Sequence, residues 1–152
     1  MQNTNNGIFK DFDASGYRLG IVVAQFNKDI TDGLLQTALA KASKYNIPEE
    51  NVKIFMVAGS IEIPVILKAM AESKKYDCLV ALGAVIRGET AHFEYVAKVV
   101  SEGILRVQLD SGIPVGFGIL TCENVAQAKV RINFGANATE AALQSAKLIK
   151  GL

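Results

Sequence analysis

The sequence predicts an α/β fold with a central four-stranded parallel sheet and helices on both faces, on the strength of three observations. First, four short apolar runs are rich in β-branched residues and do not alternate polar with apolar positions. Such runs are typical of parallel strands that are buried on both faces. Second, longer segments with helical apolar spacing separate the runs, as in right-handed βαβ units. Third, the 152 residues are 50% hydrophobic, which suits a single domain, residues 1–152, with a full core.

The elements follow one another as strand, helix, strand, helix. Each predicted strand is a continuous apolar run, and each predicted helix repeats apolar residues at intervals of three and four. The strands are Leu19–Ala24, Val52–Val57, Cys78–Ile86 and residues 114–120, and the helices between them are centred on residues 30–42, 66–70 and 96–107.

Residues 123–152 are interpreted as two further helices. Asn124 and Asn137 are each followed three positions later by Gln or Glu, which is the pattern of an N-cap with its capping-box partner. Residues 1–16 form an N-terminal arm ahead of the first strand. Within this arm, residues 7–15 are expected to form a short extra strand, for which pairing with a neighbouring subunit is one arrangement.

Composition excludes several classes of function. Sixteen basic and fifteen acidic residues nearly cancel, which argues against nucleic acid or a membrane surface as the main partner. The apolar runs are too short to cross a membrane, and the polar N-terminus does not resemble a signal peptide, so we expect a cytoplasmic protein. With a single histidine and two widely separated cysteines, we expect no metal site, and Cys78 is interpreted as a small buried hydrophobe.

Four loops are the predicted place for a ligand. In an open parallel sheet, ligands bind beyond the carboxyl ends of the strands. The loops at those ends are residues 25–27, 58–64, 87–92 and 121–124.

The first two of these loops hold residues with two interpretations each. Phe26 follows a buried strand, so it is either a core aromatic that covers the end of the sheet or a stacking surface for a planar ligand. Asn27 is a candidate N-cap for the first helix. Glu62 lies among apolar residues, where it either faces the N-terminus of its own helix or binds a ligand hydroxyl.

The third loop, Arg-Gly-Glu-Thr, suits an anion. Gly88 allows close approach of the backbone, and Thr90 is a candidate N-cap for a helix whose first N–H groups are free to bind phosphate. Neither a Walker A sequence nor a dinucleotide-binding fingerprint is present, which argues against ATP and NAD chemistry.

His92, the only histidine in the chain, is predicted in the first turn of the third helix. The positive end of the helix favours the neutral imidazole, which can accept a proton. A surface or interface histidine is the plainer interpretation. Arg131 cannot be placed by pattern and is equally compatible with an ordinary surface position.

Taken together, the loops resemble those of the 6,7-dimethyl-8-ribityllumazine synthase family over roughly residues 20–146. The matching segments are FN, GSIEIP, LGAVIRGETAHFEYV, PVGFGILTCEN and QAKVR, of which the third is the most specific. The resemblance implies a flavodoxin-like three-layer sandwich. It also implies an enzyme that condenses 5-amino-6-(D-ribitylamino)uracil with 3,4-dihydroxy-2-butanone 4-phosphate and releases phosphate and water. No metal or redox cofactor is implied.

The same resemblance implies roles for individual residues. His92 is similar to the proton-transfer residue of the family, and Phe117 to an aromatic that a neighbouring subunit contributes. The resemblance further assigns stacking on the pyrimidine to Phe26, the ribityl chain to Ser60, Ile61 and Glu62, the uracil edge to the backbone of Ala84, Val85 and Ile86, and the phosphate to Glu89, Thr90 and Arg131.

Three positions depart from the family pattern. Gln25 stands where the family usually has arginine, and Ile61 where it has an aromatic residue. Asn137 replaces a lysine near the phosphate site, and the connection from Arg131 is about two residues shorter. These departures leave an alternative open, namely a non-catalytic or weakly active shell or flavin-binding protein of the same fold.

The resemblance also implies a homo-oligomer with active sites between subunits. The assembly would be a pentamer or a 60-subunit shell, with riboflavin synthase as a further partner.

A phospho-acceptor receiver domain is excluded, because it needs acidic residues after the first strand and an Asp after the third, where this chain has Gln25–Asn27 and Arg87.

Overall fold

A computed structural model describes Asn5 and residues 7–152, and it confirms the α/β fold with a four-stranded parallel sheet. The strands are β1 Leu19–Ala24, β2 Val52–Val57, β3 Cys78–Ile86 and β4 Val115–Cys122, and the helices are α1 Lys28–Lys44, α2 Ile63–Glu72, α3 His92–Ser111, α4 Val125–Lys129 and α5 Phe134–Lys150. The strand order is β2-β1-β3-β4, with all neighbours parallel. In these residues no helix is both long enough and apolar enough to cross a membrane.

Alternate residues of the strands point to two separate cores, one on each face of the sheet. On the first face, residues such as Ile21 and Val80 pack against α1 and α5. On the second face, Val22 and Ala81 pack against α2 and α3. The sheet is therefore the middle layer of three, as predicted.

The central strands are buried as predicted, whereas β2 is not. Every residue of β1 and nearly every residue of β3 is buried, and the side chain of Cys78 has no exposed surface. Burial raises the pKa of the Cys78 thiol to about 12. In β2, by contrast, Ile54, Phe55 and Met56 are 42–48% exposed, because β2 lies at an edge of the sheet and the helices pack mainly over the other three strands. The prediction that this run is buried on both faces is wrong for the single chain.

Element boundaries agree with the sequence except near the C-terminus. Strand β4 continues to Cys122, two residues beyond its predicted end, because it stays paired with β3 up to Ile86. Asn124 caps α4 as predicted, and its side chain accepts a hydrogen bond from the Gln127 backbone N–H. Asn137 is not an N-cap. Helix α5 already begins at Phe134, and the Asn137 N–H donates to a carbonyl of the preceding turn.

The N-terminal arm lies against the layer formed by α1 and α5, and it does not form a strand within the chain. Phe12 packs edge-on against the ring of Tyr45, and the Ala14 N–H donates to the Tyr45 carbonyl. The buried Tyr45 hydroxyl donates to Glu140 at 3.0 Å and accepts from Gln144 at 2.9 Å. The prediction of a strand over residues 7–15 is therefore wrong for an isolated chain, and pairing with a neighbouring subunit stays a prediction. Residues 1–4 and 6 of the predicted arm lie outside the described residues.

At the same end of the sheet as this arm, the Asp77 side chain joins three segments of the chain. Its carboxylate accepts hydrogen bonds from the Arg18 backbone N–H at 2.7 Å and from Lys150 Nζ at 2.9 Å. The end of α5 is thereby fixed beside the beginnings of β1 and β3.

Candidate active site

The site lies where the connections from β1 and β3 leave the sheet in opposite directions. The loop after β1 leads to α1 on one face, and the loop after β3 leads to α3 on the other. Such a switch point opens a crevice at the carboxyl ends of the strands. A cavity of about 350 Å³ fills this crevice, a size that suits a small organic ligand.

Most of the residues predicted for the site meet in this cavity. The loops after β1, β2 and β3 each contribute, as the rule for parallel sheets requires. The predicted residues that line it are Phe26, Ser60, Ile61, Glu62, Ala84, Val85, Ile86, Thr90 and His92.

Phe26 presents its ring to the cavity and to solvent, with 72% of the residue exposed. This exposure excludes the interpretation of Phe26 as a core aromatic. Its backbone N–H donates to the Ala58 carbonyl at 3.0 Å, which links the loop after β1 to the loop after β2. The ring is therefore held on a fixed backbone while its face stays free to stack on a planar ligand.

Asn27 holds the cavity wall together instead of capping α1 with its side chain. It occupies the N-cap position in a left-handed conformation, with φ of 59°, which asparagine tolerates well. Its side-chain amide donates to the Ala84 carbonyl at 2.9 Å. The bond joins the loop after β1 to the end of β3.

Ser60 and Glu62 occupy a short 3₁₀ turn, Ser60–Glu62, between β2 and α2. The Glu62 carboxylate accepts a hydrogen bond from the Gly59 N–H at 2.8 Å, so it stabilises the start of its own turn. Because Glu62 is exposed and has a second carboxylate oxygen, this bond leaves room for a ligand hydroxyl. Ser60 is buried, and a Cβ at Gly83 would lie only 2.5 Å from its hydroxyl oxygen. A glycine at position 83 is therefore what allows Ser60 to lie on the floor of the cavity.

His92 is the first residue of α3, as predicted, and its side chain is exposed at the cavity. Thr90 is not the N-cap, a position that Ala91 occupies. The Thr90 hydroxyl nevertheless accepts a long hydrogen bond of 3.4 Å from the His92 N–H. The first N–H groups of a helix have no partner within the helix as a rule, and such a helix start suits an anion beside the histidine.

Three predicted residues do not line the cavity of their own chain. Glu89 is exposed in the loop before α3. Arg131 follows α4, and its guanidinium donates to the Gln127 carbonyl at 2.7 Å. Burial raises the pKa of the Cys122 thiol at the end of β4, and the nearby Arg131 cation opposes that shift. Phe117 lies on β4, 45% exposed, in a second cavity of about 400 Å³ that it shares with Asn137.

Several lining residues were not predicted. Gly59, Phe93 and Val96 join the cavity, as does Asn27, which the sequence pointed to only as a helix cap. The sequence did carry a signal for Val96, since a helix that presents His92 to a cavity also presents the residue four positions on.

Two comparisons bear on this site. A family model described as 6,7-dimethyl-8-ribityllumazine synthase matches residues 16–150. A curated relative from Azoarcus sp. (strain BH72), named 6,7-dimethyl-8-ribityllumazine synthase, is 43% identical over 143 residues. That alignment covers 93% of this chain and 92% of the relative.

Proposed function

The chain belongs to the 6,7-dimethyl-8-ribityllumazine synthase family of transferases in riboflavin biosynthesis, and we propose which reaction its cavity performs. The reaction joins 5-amino-6-(D-ribitylamino)uracil to 3,4-dihydroxy-2-butanone 4-phosphate and yields 6,7-dimethyl-8-ribityllumazine, phosphate and water. The observation that carries this proposal is the convergence of Phe26, Ser60–Glu62, Ala84–Ile86 and His92 on one cavity.

The pyrimidine substrate occupies the part of the cavity between β1 and β3. Its ring stacks on the exposed face of Phe26, and its polar edge meets backbone groups at the end of β3. The ribityl hydroxyls lie along the Ser60–Glu62 turn, where the free oxygen of Glu62 accepts a hydrogen bond. Ile61 supplies an apolar wall in place of an aromatic one.

The phosphorylated substrate lies at the start of α3. There the N–H groups of Glu89 and Thr90 and the dipole of a 20-residue helix favour its phosphate. His92, adjacent to that position, moves protons as the amine attacks the ketone and as phosphate departs. Holding the two substrates together supplies a further part of the rate enhancement.

The active site is completed by a second copy of the chain. Phe117 and Arg131 lie outside the cavity of their own chain, and Phe117 is exposed on β4. We assign both to the cavity of a neighbouring copy in a homo-oligomer, whose pentameric or 60-subunit form and association with riboflavin synthase are part of the proposal. An arginine supplied in this way would stabilise charge on the leaving phosphate.

The first experiment is an absorbance assay of lumazine formation from both purified substrates. We expect product with the unmodified protein and with Lys98→Gln, a control on the same helix outside the cavity. We expect a loss of about ten- to a thousandfold with His92→Ala. Equal turnover in both variants would contradict the role of His92.

A second assay tests the shared site. Mixed oligomers of His92→Ala and Arg131→Ala chains should regain up to about a quarter of the activity, because some interfaces then combine an intact His92 with an intact Arg131. No recovery in well-mixed oligomers would mean that each chain supplies both residues to one site.

A non-catalytic binding protein is the second candidate. It is favoured by the position of Asn137, which lies in the second cavity and brings no positive charge to the phosphate. That protein would bind the pyrimidine and assemble, yet it would form no product in the first assay.

A further inference from the structure

Arg87 joins three elements around the anion-binding loop. It is the first residue after β3, and its backbone N–H donates to the Cys122 carbonyl at 2.9 Å. Its side-chain Nε donates to the Glu123 carboxylate at 2.7 Å, in the loop after β4. A second nitrogen of the guanidinium donates to Glu94, in the first turn of α3.

The guanidinium also covers a wall of the cavity. Its central carbon lies 4.4 Å from the centroid of the Phe93 ring, which lines the cavity beside His92. A planar cation over an aromatic face is favourable, and a lysine reproduces this contact poorly. One side chain therefore fixes the orientation of Phe93 and of the first turn of α3.

The loop from Gly88 to Ala91 is not held by packing of its own. A Cβ at Gly88 would meet no atom of the described residues within 4 Å, and Glu89, Thr90 and Ala91 are all exposed. The loop is instead fixed at its two ends, where Arg87 holds β3 to Glu123 and the start of α3 to β3.

The charges around Arg87 argue against a role as a direct phosphate ligand. The hydrogen bonds that Arg87 donates to Glu94 and Glu123 raise the pKa of Arg87, and the Arg87 guanidinium lowers the pKa of Glu94. Because two carboxylates surround one guanidinium, the three groups together carry a net negative charge. A phosphate brought to this guanidinium would have to displace a carboxylate of the same sign.

We propose that Arg87 is a positioning residue that fixes the loop from Gly88 to Ala91, and through it the N–H groups and His92, in the geometry that receives the phosphate. This inference rests on the proposed function for the identity of the phosphorylated substrate. Its physical basis is that a small misplacement of an anion site weakens binding and turnover at that site and nowhere else.

The test compares Arg87→Lys, Glu123→Gln and the double variant with Arg106→Lys, a control on α3 that lies outside the cavity. The measured quantities are kcat, the KM of each substrate and the Kd of inorganic phosphate by calorimetry. Urea unfolding monitors the fold of each variant.

We expect Arg87→Lys to raise the KM of the phosphorylated substrate and the Kd of phosphate by about tenfold, with the pyrimidine KM changed less than about twofold. Glu123→Gln should raise the same two constants, and the double variant should add little to either, since both residues belong to one arrangement.

Glu123→Gln separates positioning from direct binding by the sign of its effect. If Arg87 bound the phosphate itself, removal of a competing carboxylate would tighten phosphate binding, and this result would overturn the proposal. The proposal would also be overturned if Arg87→Lys and the unmodified protein had the same phosphate Kd and the same KM for the phosphorylated substrate. It would likewise be overturned if the unmodified protein did not bind phosphate. If the unmodified protein binds phosphate but forms no product, the proposed reaction fails, and the phosphate Kd values still decide the role of Arg87.

Discussion

The hydroxyl of Tyr45 gives the sharpest prediction for stability, because the effect of removing it on the free energy of unfolding should depend on pH. The side chain is fully buried and its oxygen has two partners, Glu140 and Gln144. In Tyr45→Phe, Glu140 keeps its bond from Lys41 at 3.2 Å and Gln144 keeps its bond to the Lys10 carbonyl at 3.0 Å. Since no partner is left without a hydrogen bond, we expect a cost of about 1 kcal/mol near pH 8.

Above pH 10 this advantage of the native protein declines, and it is gone near pH 11. Burial raises the pKa of Tyr45 from 10.0 to about 12, so the unfolded phenol ionises first while the folded one keeps its proton. A raised pKa means that the contribution of the group is complete below pH 10 and is lost as the pH rises towards 12. The native protein therefore loses about 1.4 kcal/mol of unfolding free energy by pH 11 and up to about 2.7 kcal/mol beyond pH 12, and Tyr45→Phe loses none of this.

The assay is urea unfolding followed by far-ultraviolet circular dichroism from pH 8 to 11, at one protein concentration because assembly contributes to stability. We expect the variant to be about 1 kcal/mol less stable at pH 8 and equal to the native protein near pH 11. Tyr95→Phe, at a position that is 71% exposed, is the matched control. A difference that stays constant across this range would refute the argument that the buried phenol resists ionisation.

Four further predictions follow from the structure. His92→Ala should lower kcat by about ten- to a thousandfold without unfolding the chain, as measured by lumazine absorbance and circular dichroism. Arg131→Ala should raise the KM of the phosphorylated substrate by about tenfold, and an unchanged KM would contradict its role as an anion ligand. Gly135→Ala should cost about 1–3 kcal/mol in urea unfolding, because its Cβ would lie 1.9 Å from a carbonyl oxygen of α1, whereas Gly151→Ala, with 3.5 Å of clearance, is the control. Burial alone would raise the pKa of Asp77, but hydrogen bonds from two basic side chains outweigh it and lower this pKa. Asp77→Asn should therefore cost about 1–2 kcal/mol of unfolding free energy at pH 7, and this difference should shrink as the pH falls below 4.

The strands and the cavity could be predicted because both depend on local rules. The β-branched runs predicted β1, β2 and β3 with their bounds, and the rule for parallel sheets led from them to Phe26, Glu62 and the loop before His92. The exposure of β2 could not be predicted, because an apolar run has the same composition whether or not helices cover it. Sequence periodicity does not show over which strands the helices pack.

The remaining errors and omissions involve contacts between distant segments. The sequence around Asn137 has the pattern of a capping box, yet α5 begins three residues earlier, where Gly135 allows close contact with the backbone of α1. Arg87 pairs with Glu123, which is 36 positions away, and no local pattern joins them. Such pairs become visible only when the ends of β3 and β4 are placed side by side.

The uncovered edge of β2 has a consequence for the folding and assembly of newly made chains. A strand with exposed Ile54, Phe55 and Met56 and unpaired backbone groups along one side is a template on which another chain can add. Two processes therefore compete for a newly folded copy. It can assemble in an ordered way with native copies, or it can add irregularly, strand to strand, to incompletely folded ones. Refolding yield should then depend on the proportion of chains already folded when encounters occur. Slow dilution from denaturant should recover more native protein than rapid dilution at the same final concentration.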